Sequence, residues 1–316
     1  MWAAFFLSLA LSPQIKSYGP SFPFGKELRP HTFGIYFLDR VIDAAEGHCD
    51  MKWLRKNLAV DGSYYLKGFL GLDWLPSDAA KNNVVVYERA IEQLVHRLGG
   101  PASSFWVLKE IESANRSLVI KPWRHDPAKD ARTETHWMAY GEPESYADAT
   151  AAGEFAKTSE NSELPKAERL ANMGTGRGTN YVLYFTPWYV GDSRPVGPAW
   201  GADEVLLHEL VHGLNSLKGN LRMTGGAPDG FDGLEEFTAI TITNLYTSQV
   251  GGTLRQDHRG HTALPTTPLN LCDPQVFYTK YRDAMQDCYR FHKSLAGIYK
   301  GWDPSLVQFN PFRFCT

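Results

Sequence analysis

Apolar residues recur at helical spacing near the end of the first third of the chain. Ala90, Ile91, Leu94, Val95 and Leu98 fall three or four apart, and Gly99-Gly100-Pro101 closes the run, which predicts a helix over 84–98. Two further short runs, Phe105 to Ile111 and Ser117 to Trp123, are rich in apolar and aromatic residues. They predict two strands of a hairpin turning at Ser113-Ala114-Asn115. Tyr181 to Phe185 (YVLYF), bounded by Asn180 and Pro187, predicts another strand.

The longest ordered pattern follows. No proline interrupts 199–219, and Val205, Leu206, Leu207, Leu210, Val211 and Leu214 supply a wide apolar face. Asp203 and Glu204 stand early, Lys218 late, and Gly219 can end the helix, as the macrodipole and C-cap geometry favour. A second helix opens at Gly233-Leu234-Glu235-Glu236 and runs to about Tyr246. The intervening loop is rich in Gly, Pro and Asp. Gly174, Gly176 and Gly178 precede a strand instead of joining strand to helix, which excludes a phosphate loop.

Elsewhere the pattern is weaker. Residues 13–35 are rich in Pro, Gly and Ser, and 35–58 carry helix-like spacing broken at Gly47. Residues 60–80 are mixed, and 124–178 read as a long polar excursion. The order of helix, hairpin, strand and helix predicts an α+β fold, with YVLYF as an edge strand just before the principal helix. Such an edge can pair with an extended peptide backbone. Residues 1–80 are expected to form an N-terminal region packed on a main domain of residues 81–316.

Composition narrows the classes. The 316 residues suffice for a full core, and 43% hydrophobic with 13% aromatic content excludes a disordered chain. A formal charge of −3, with both signs interspersed, lacks the basic stripe of a nucleic-acid binder. No apolar run approaches the ~20 residues that span a bilayer. Trp2 to Ser12 has signal-peptide length but no preceding Lys or Arg, and Pro13 follows its only cleavage-like site. It is read as part of the folded body. Cys49, Cys272, Cys288 and Cys315 contain no C-x-x-C pair, so a cysteine metal site is not expected. Cys272 with Cys288, or Cys49 with Cys315, could bridge, but buried free thiols are the default.

The principal helix carries HELVH, an H-E-x-x-H pattern. Positions four apart share a helix face, so His208 and His212 can aim their imidazoles at one zinc ion. Glu209, one step round, can reach a metal-bound water without occupying the metal, the place of a general base. Three protein ligands and an open position are expected of a catalytic zinc. A carboxylate early on the next helix would complete the set, and periodicity leaves Glu235 and Glu236 open. Tyr246, Arg255, His258 and His261 are candidate donors to an oxyanion, His258 and Tyr246 first, and Asp257 could orient a site histidine.

HELVHGLNSLKG, followed by a helix opening EEFTAITITNLYTS, resembles the zinc metallopeptidase toxins and effectors of bacterial secretion systems. These include type III effector proteases and the C-terminal peptidase domains of type VI spike proteins. GTNYVLYF, LRQDH and the closing FNPFR extend the similarity over roughly residues 84–316, strongest from 174 to 260. The resemblance implies a zincin-like metallopeptidase fold with one Zn2+ held by His208, His212 and Glu236, and Glu209 as catalytic acid/base. It also implies a secreted or injected endopeptidase acting on a target-cell protein, with an immunity protein or secretion-system component as further partners. The competing expectation is a non-catalytic protein in which zinc only staples two helices. Glu209 separates the two, because a purely structural site needs no acid there.

Overall fold

The computed structural model describes residues 52–62, 84–123, 139–154, 173–187, 198, 201–222, 228–258 and 262–316. Five strands form one mixed sheet: β1 (Lys52–Arg55), β2 (Leu58–Val60), β3 (Leu118–Pro122), β4 (Ala139–Pro143) and β5 (Tyr181–Phe185). Their order across the sheet is β1-β2-β3-β5-β4. β2, β3 and β5 run parallel to one another, while β1 and β4 are the antiparallel edges. Eight helices accompany the sheet among the described residues: α1 (Val84–Leu98), α2 (Ala102–Ser113), α3 (Tyr146–Ala149), α4 (Ala202–Lys218), α5 (Leu234–Gln249), α6 (Pro274–Lys280), α7 (Arg282–Phe291) and α8 (Lys293–Lys300). The fold class is therefore α+β, as expected.

Several expectations are met to the residue, and others are corrected. Helix α1 and strand β5 occupy the spans their patterns predict. The hairpin after α1 is not formed: Phe105 to Ile111 lies within α2, and only the second run is a strand. The buried residues Ser103, Ser104, Val107, Leu108, Glu110 and Ile111 repeat at helical spacing once the flanking serines are counted. The helical spacing over 35–58 also fails where it can be seen. Residues 52–60 form the antiparallel β1–β2 hairpin, with Asn57 at φ 63° in its turn. β2 pairs with β3, so part of the first eighty residues is integral to the sheet. YVLYF is an interior strand, flanked by β3 and β4. The edge on that side is β4, inside the stretch read as a polar excursion. The N-terminal apolar run, residues 13–35 and Cys49 lie outside the described residues. Cys272, Cys288 and Cys315 are free thiols.

The core forms where one face of the sheet meets the helices. Leu118, Ile120, Tyr181, Leu183 and Phe185 alternate inward along β3 and β5. They pack against Leu206, Leu207, Leu210, Val211 and Leu214 of α4. Close approach of α4 to the sheet requires Gly213, where an added Cβ would stand 2.2 Å from Leu118 Cδ1. Helix α5 is buried nearly all round, between α4 and the C-terminal helices. Behind it Phe231, Phe237, Phe277, Tyr281 and Phe309 form an aromatic cluster, with Phe277 and Phe309 centroids 5.1 Å apart. The closing FNPFR thus completes the back of α5. No helix among the described residues is long and apolar enough to cross a membrane.

Candidate metal centre

Both site helices are held in place from their ends. Helix α4 ends at Gly219, whose φ of 68° lets its N–H close the last turn. The Gly-rich segment before β5 lies directly against that end: a Cβ on Gly178 would meet the Leu217 carbonyl oxygen at 2.1 Å. At the other end Glu204 accepts from the Gly201 N–H at 3.1 Å and from the Thr247 hydroxyl at 2.7 Å. Asp203 accepts from the Tyr246 hydroxyl at 2.6 Å and from Arg97 at 3.3 Å. The first-turn acids of α4 therefore clamp the C-terminal end of α5. This fixes α5 antiparallel to α4 and sets its first turn beside the HELVH segment.

The two histidines converge as their four-residue spacing predicts. His208 Nε2 and His212 Nε2 are 3.0 Å apart. Glu236 joins them, with Oε2 at 3.1 Å from His208 Nε2 and Oε1 at 3.5 Å from His212 Nε2. Glu235 takes the other side of the His212 ring, Oε1 lying 2.9 Å from Nδ1. The same oxygen accepts from Asn215 Nδ2 at 2.6 Å, and Oε2 accepts from the Arg222 N–H at 3.3 Å. In the neutral ring, an Nδ1 proton donated to Glu235 would leave the Nε2 lone pair facing Glu236 and His208, the form in which a cation could replace the Nε2 proton.

His258 arrives from the loop after α5. Its Nε2 is 3.4 Å from Glu236 Oε2, and its ring lies nearly parallel to that of His208, interplanar angle 7°. Its Nδ1 is 2.7 Å from Asp232 Oδ2. The carbonyls of Asp257 and His258 accept from the buried Arg255 guanidinium, and Arg255 is itself tied through its backbone to the Asn244 amide. His208, Glu236 and His258 together form a group able to hold a metal ion, with ligand atoms all within 4.8 Å of one another.

The other sequence candidates fall elsewhere. Tyr246 is buried, ten residues along α5 from Glu236 and thus ~15 Å up the helix, with its hydroxyl committed to Asp203. Arg255 holds the loop. The side chain of Asp257 accepts from Thr262, and it is Asp232 that stands behind His258. His261 lies outside the described residues. The orienting acids Glu235 and Asp232 and the amide of Asn215 were not foreseen in these roles. A carboxylate beside a ligand carboxylate, and an Asp two residues before the helix, are the only local signals for them.

The electrostatics couple the acids to the imidazoles. Burial, with the charge of His212, holds His208 down at about 3, so its imidazole is neutral. Burial works against protonation of His212 too, but Glu236 and Glu235 outweigh it and hold His212 well above its usual range. Burial alone would raise Glu236, yet His212 and His208 hold its carboxyl far below the carboxylate range. Burial pushes Glu209 up, against the pull of His212. Glu209, Glu235 and Glu236 thus crowd two imidazoles, with the Arg255 guanidinium also in their field. Glu236 Oε2 is buried and aligned with no hydrogen-bond donor, although two imidazole nitrogens lie within 3.4 Å. A buried carboxylate oxygen without a donor, set among converging imidazole nitrogens, fits a shared cation. The donor set, imidazole nitrogen and carboxylate oxygen, is one that divalent first-row metals accept.

Neither the family models nor the curated proteins compared with the chain match it.

Proposed function

We propose that this protein is a zinc-dependent endopeptidase with a zincin-like fold. The observation that carries the reading is the convergence of His208, His212 and Glu236 beside Glu209. In this reading those three side chains hold the ion, and Glu235 orients His212 through Nδ1. When bound, zinc supplies a Lewis acid that polarises a carbonyl and acidifies a coordinated water toward pKa ~7. Glu209 is half-buried, burial raises its carboxyl, and from its place beside the ligands it would take a proton and return it to the leaving nitrogen. Tyr181 lies in the field of Glu209, and burial and that charge keep its phenol protonated.

The sheet supports a peptide as substrate. β4 is an antiparallel edge packed on α4, with its Gly141 beneath the Tyr181 hydroxyl. An extended chain laid along such an edge gains main-chain hydrogen bonds and passes the site helix. The wider proposal, a secreted or injected effector acting on a target-cell protein, rests on the sequence resemblance alone. Expression of the parent and of Glu209→Gln in the bacterial cytoplasm and periplasm tests it. Growth arrest by the parent only, in either compartment, is the expected result, and equal growth of both strains in both compartments would refute the toxin reading.

A second reading draws on His258. A fourth protein donor reaching the cluster is what a closed, non-catalytic zinc staple would have. Glu209 weighs against it, since that site has no use for a fourth acid.

A further inference from the structure

We infer that His258 is a fourth protein ligand of the metal centre, oriented by Asp232 and replaceable by solvent; the inference rests on the metal-centre reading above. Four donors at ~2.0–2.1 Å from one tetrahedral ion stand about 3.3–3.4 Å apart. Four of the separations lie near that spacing: 3.0 Å for His208 to His212, 3.1 Å for His208 to Glu236, 3.5 Å for His212 to Glu236 and 3.4 Å for His258 to Glu236. Glu236 turns Oε2 to His208 and His258 and Oε1 to His212, and the ligand atoms of His208, Glu236 and His258 lie within 4.8 Å of one another.

The tautomer agrees. Asp232 Oδ2, 2.7 Å from His258 Nδ1, takes that ring proton and leaves the Nε2 lone pair directed at the cluster. This repeats the arrangement of His212, whose Nδ1 faces Glu235. A ring meant to donate a hydrogen bond to an oxyanion would need its proton on the other nitrogen. Two imidazoles with carboxylates behind them, both presenting Nε2, form a pattern that metal ligands share and solvated histidines do not.

The four ligands are not equivalent. His208 is buried on α4, and the side chains of His212 on α4 and Glu236 on α5 keep only 13% and 21% of their surface exposed. The His258 side chain keeps 38% of its surface exposed and that of Asp232 35%. With all four bound, a four-coordinate ion would have no open position. His258 is the ligand that water or a substrate carbonyl can displace at least cost, because it stands on a loop and can be hydrated when it leaves.

Cobalt substitution tests this without reference to turnover. The purified full chain, His258→Ala, Asp232→Asn and His258→Cys are each titrated with Co2+, with circular dichroism confirming fold. His258→Ala is expected to weaken cobalt binding at least as much as the roughly 10–100-fold typical of losing a carboxylate behind a ligating histidine, and Asp232→Asn within that range. His258→Cys is expected to show a thiolate-to-cobalt charge-transfer band, which a residue near but not on the metal cannot produce. Parent-like affinity in His258→Ala, with no such band in His258→Cys, would overturn the ligand assignment and leave the three-ligand centre standing. Failure of the parent itself to bind Co2+ or Zn2+ would overturn the metal centre and this inference with it.

Discussion

Glu235 and Glu236 are consecutive, yet their carboxylates meet opposite nitrogens of one imidazole. Glu235 Oε1 lies 2.9 Å from His212 Nδ1, and Glu236 Oε1 lies 3.5 Å from His212 Nε2. Neighbouring helical positions diverge by about 100°, so the pair straddles the ring edge. One acid faces the cluster and the other the interior. In the proposed metal centre this geometry divides the pair into a ligand, Glu236, and an orienter, Glu235.

That division predicts unequal substitutions. Glu236→Ala should abolish stoichiometric zinc, read by metal analysis after dialysis. Glu235→Ala should retain a zinc site weakened roughly 10–100-fold, as for other carboxylates behind a ligating histidine. Retention of zinc by Glu236→Ala together with its loss from Glu235→Ala would reverse the assignment.

Glu209→Gln should keep zinc content and fold while lowering hydrolysis of a susceptible peptide by ~10²–10⁴-fold, the usual contribution of a general acid–base. The carboxamide is nearly isosteric but cannot take up the proton. A variant that cleaves as well as the parent would remove Glu209 from the mechanism.

Tyr246→Phe should leave hydrolysis unchanged. It should cost stability of about 1–2 kcal/mol, because Asp203 loses a donor where α4 meets α5. Chemical denaturation and peptide cleavage read the two effects separately. A large fall in turnover with unchanged stability would return Tyr246 to the site.

His292 gives stability a pH dependence. It is buried, and burial holds its imidazole down at about 4, against 6.5 for the ordinary group. The unfolded chain therefore binds a proton below pH 6.5 that the folded chain refuses. Stability from this source is complete above pH 6.5 and is lost as pH falls toward 4, by about 3 kcal/mol in all. Denaturant midpoints at pH 7 and pH 4.5 measure the loss, and His292→Gln should shrink the difference. An unchanged difference in that variant would assign the acid sensitivity to other groups.

Two glycines with similar backbone angles should respond differently to alanine. Gly153 has φ 83° and open space around its Cβ position, so Gly153→Ala costs only left-handed strain, ~1–2 kcal/mol. Gly178, at φ 72°, faces the Leu217 carbonyl, a backbone atom that cannot turn aside. Gly178→Ala should add overpacking of ~1–3 kcal/mol to the same strain. Equal midpoint shifts on thermal melting would show that the end of α4 yields to the added methyl.

Much of the scaffold was legible from local pattern. α1, β5 and α4 carry long periodic runs, good caps or sharp boundaries, and their pattern survives any tertiary context. α2 was misread because Phe105-Trp106-Val107-Leu108 is a short apolar run, which suits a strand as well as a helix. β4 went unseen because AYGEP has neither alternation nor β-branched residues. As an edge strand it is specified by its partner β5 more than by its own side chains.

The sequence by itself determined that His208 and His212 share a face with Glu209 beside them, since four-residue spacing and helix geometry suffice for that. Only the tertiary structure decided which glutamate meets them, what stands behind each ring and that His258 arrives at all. Those contacts join residues 20 or more positions apart, through the clamp of Asp203 and Glu204 on α5 and the hold of Arg255 on its loop. Local periodicity carries no information about where two helices cross, so no reading of either helix alone could place its side chains against the other.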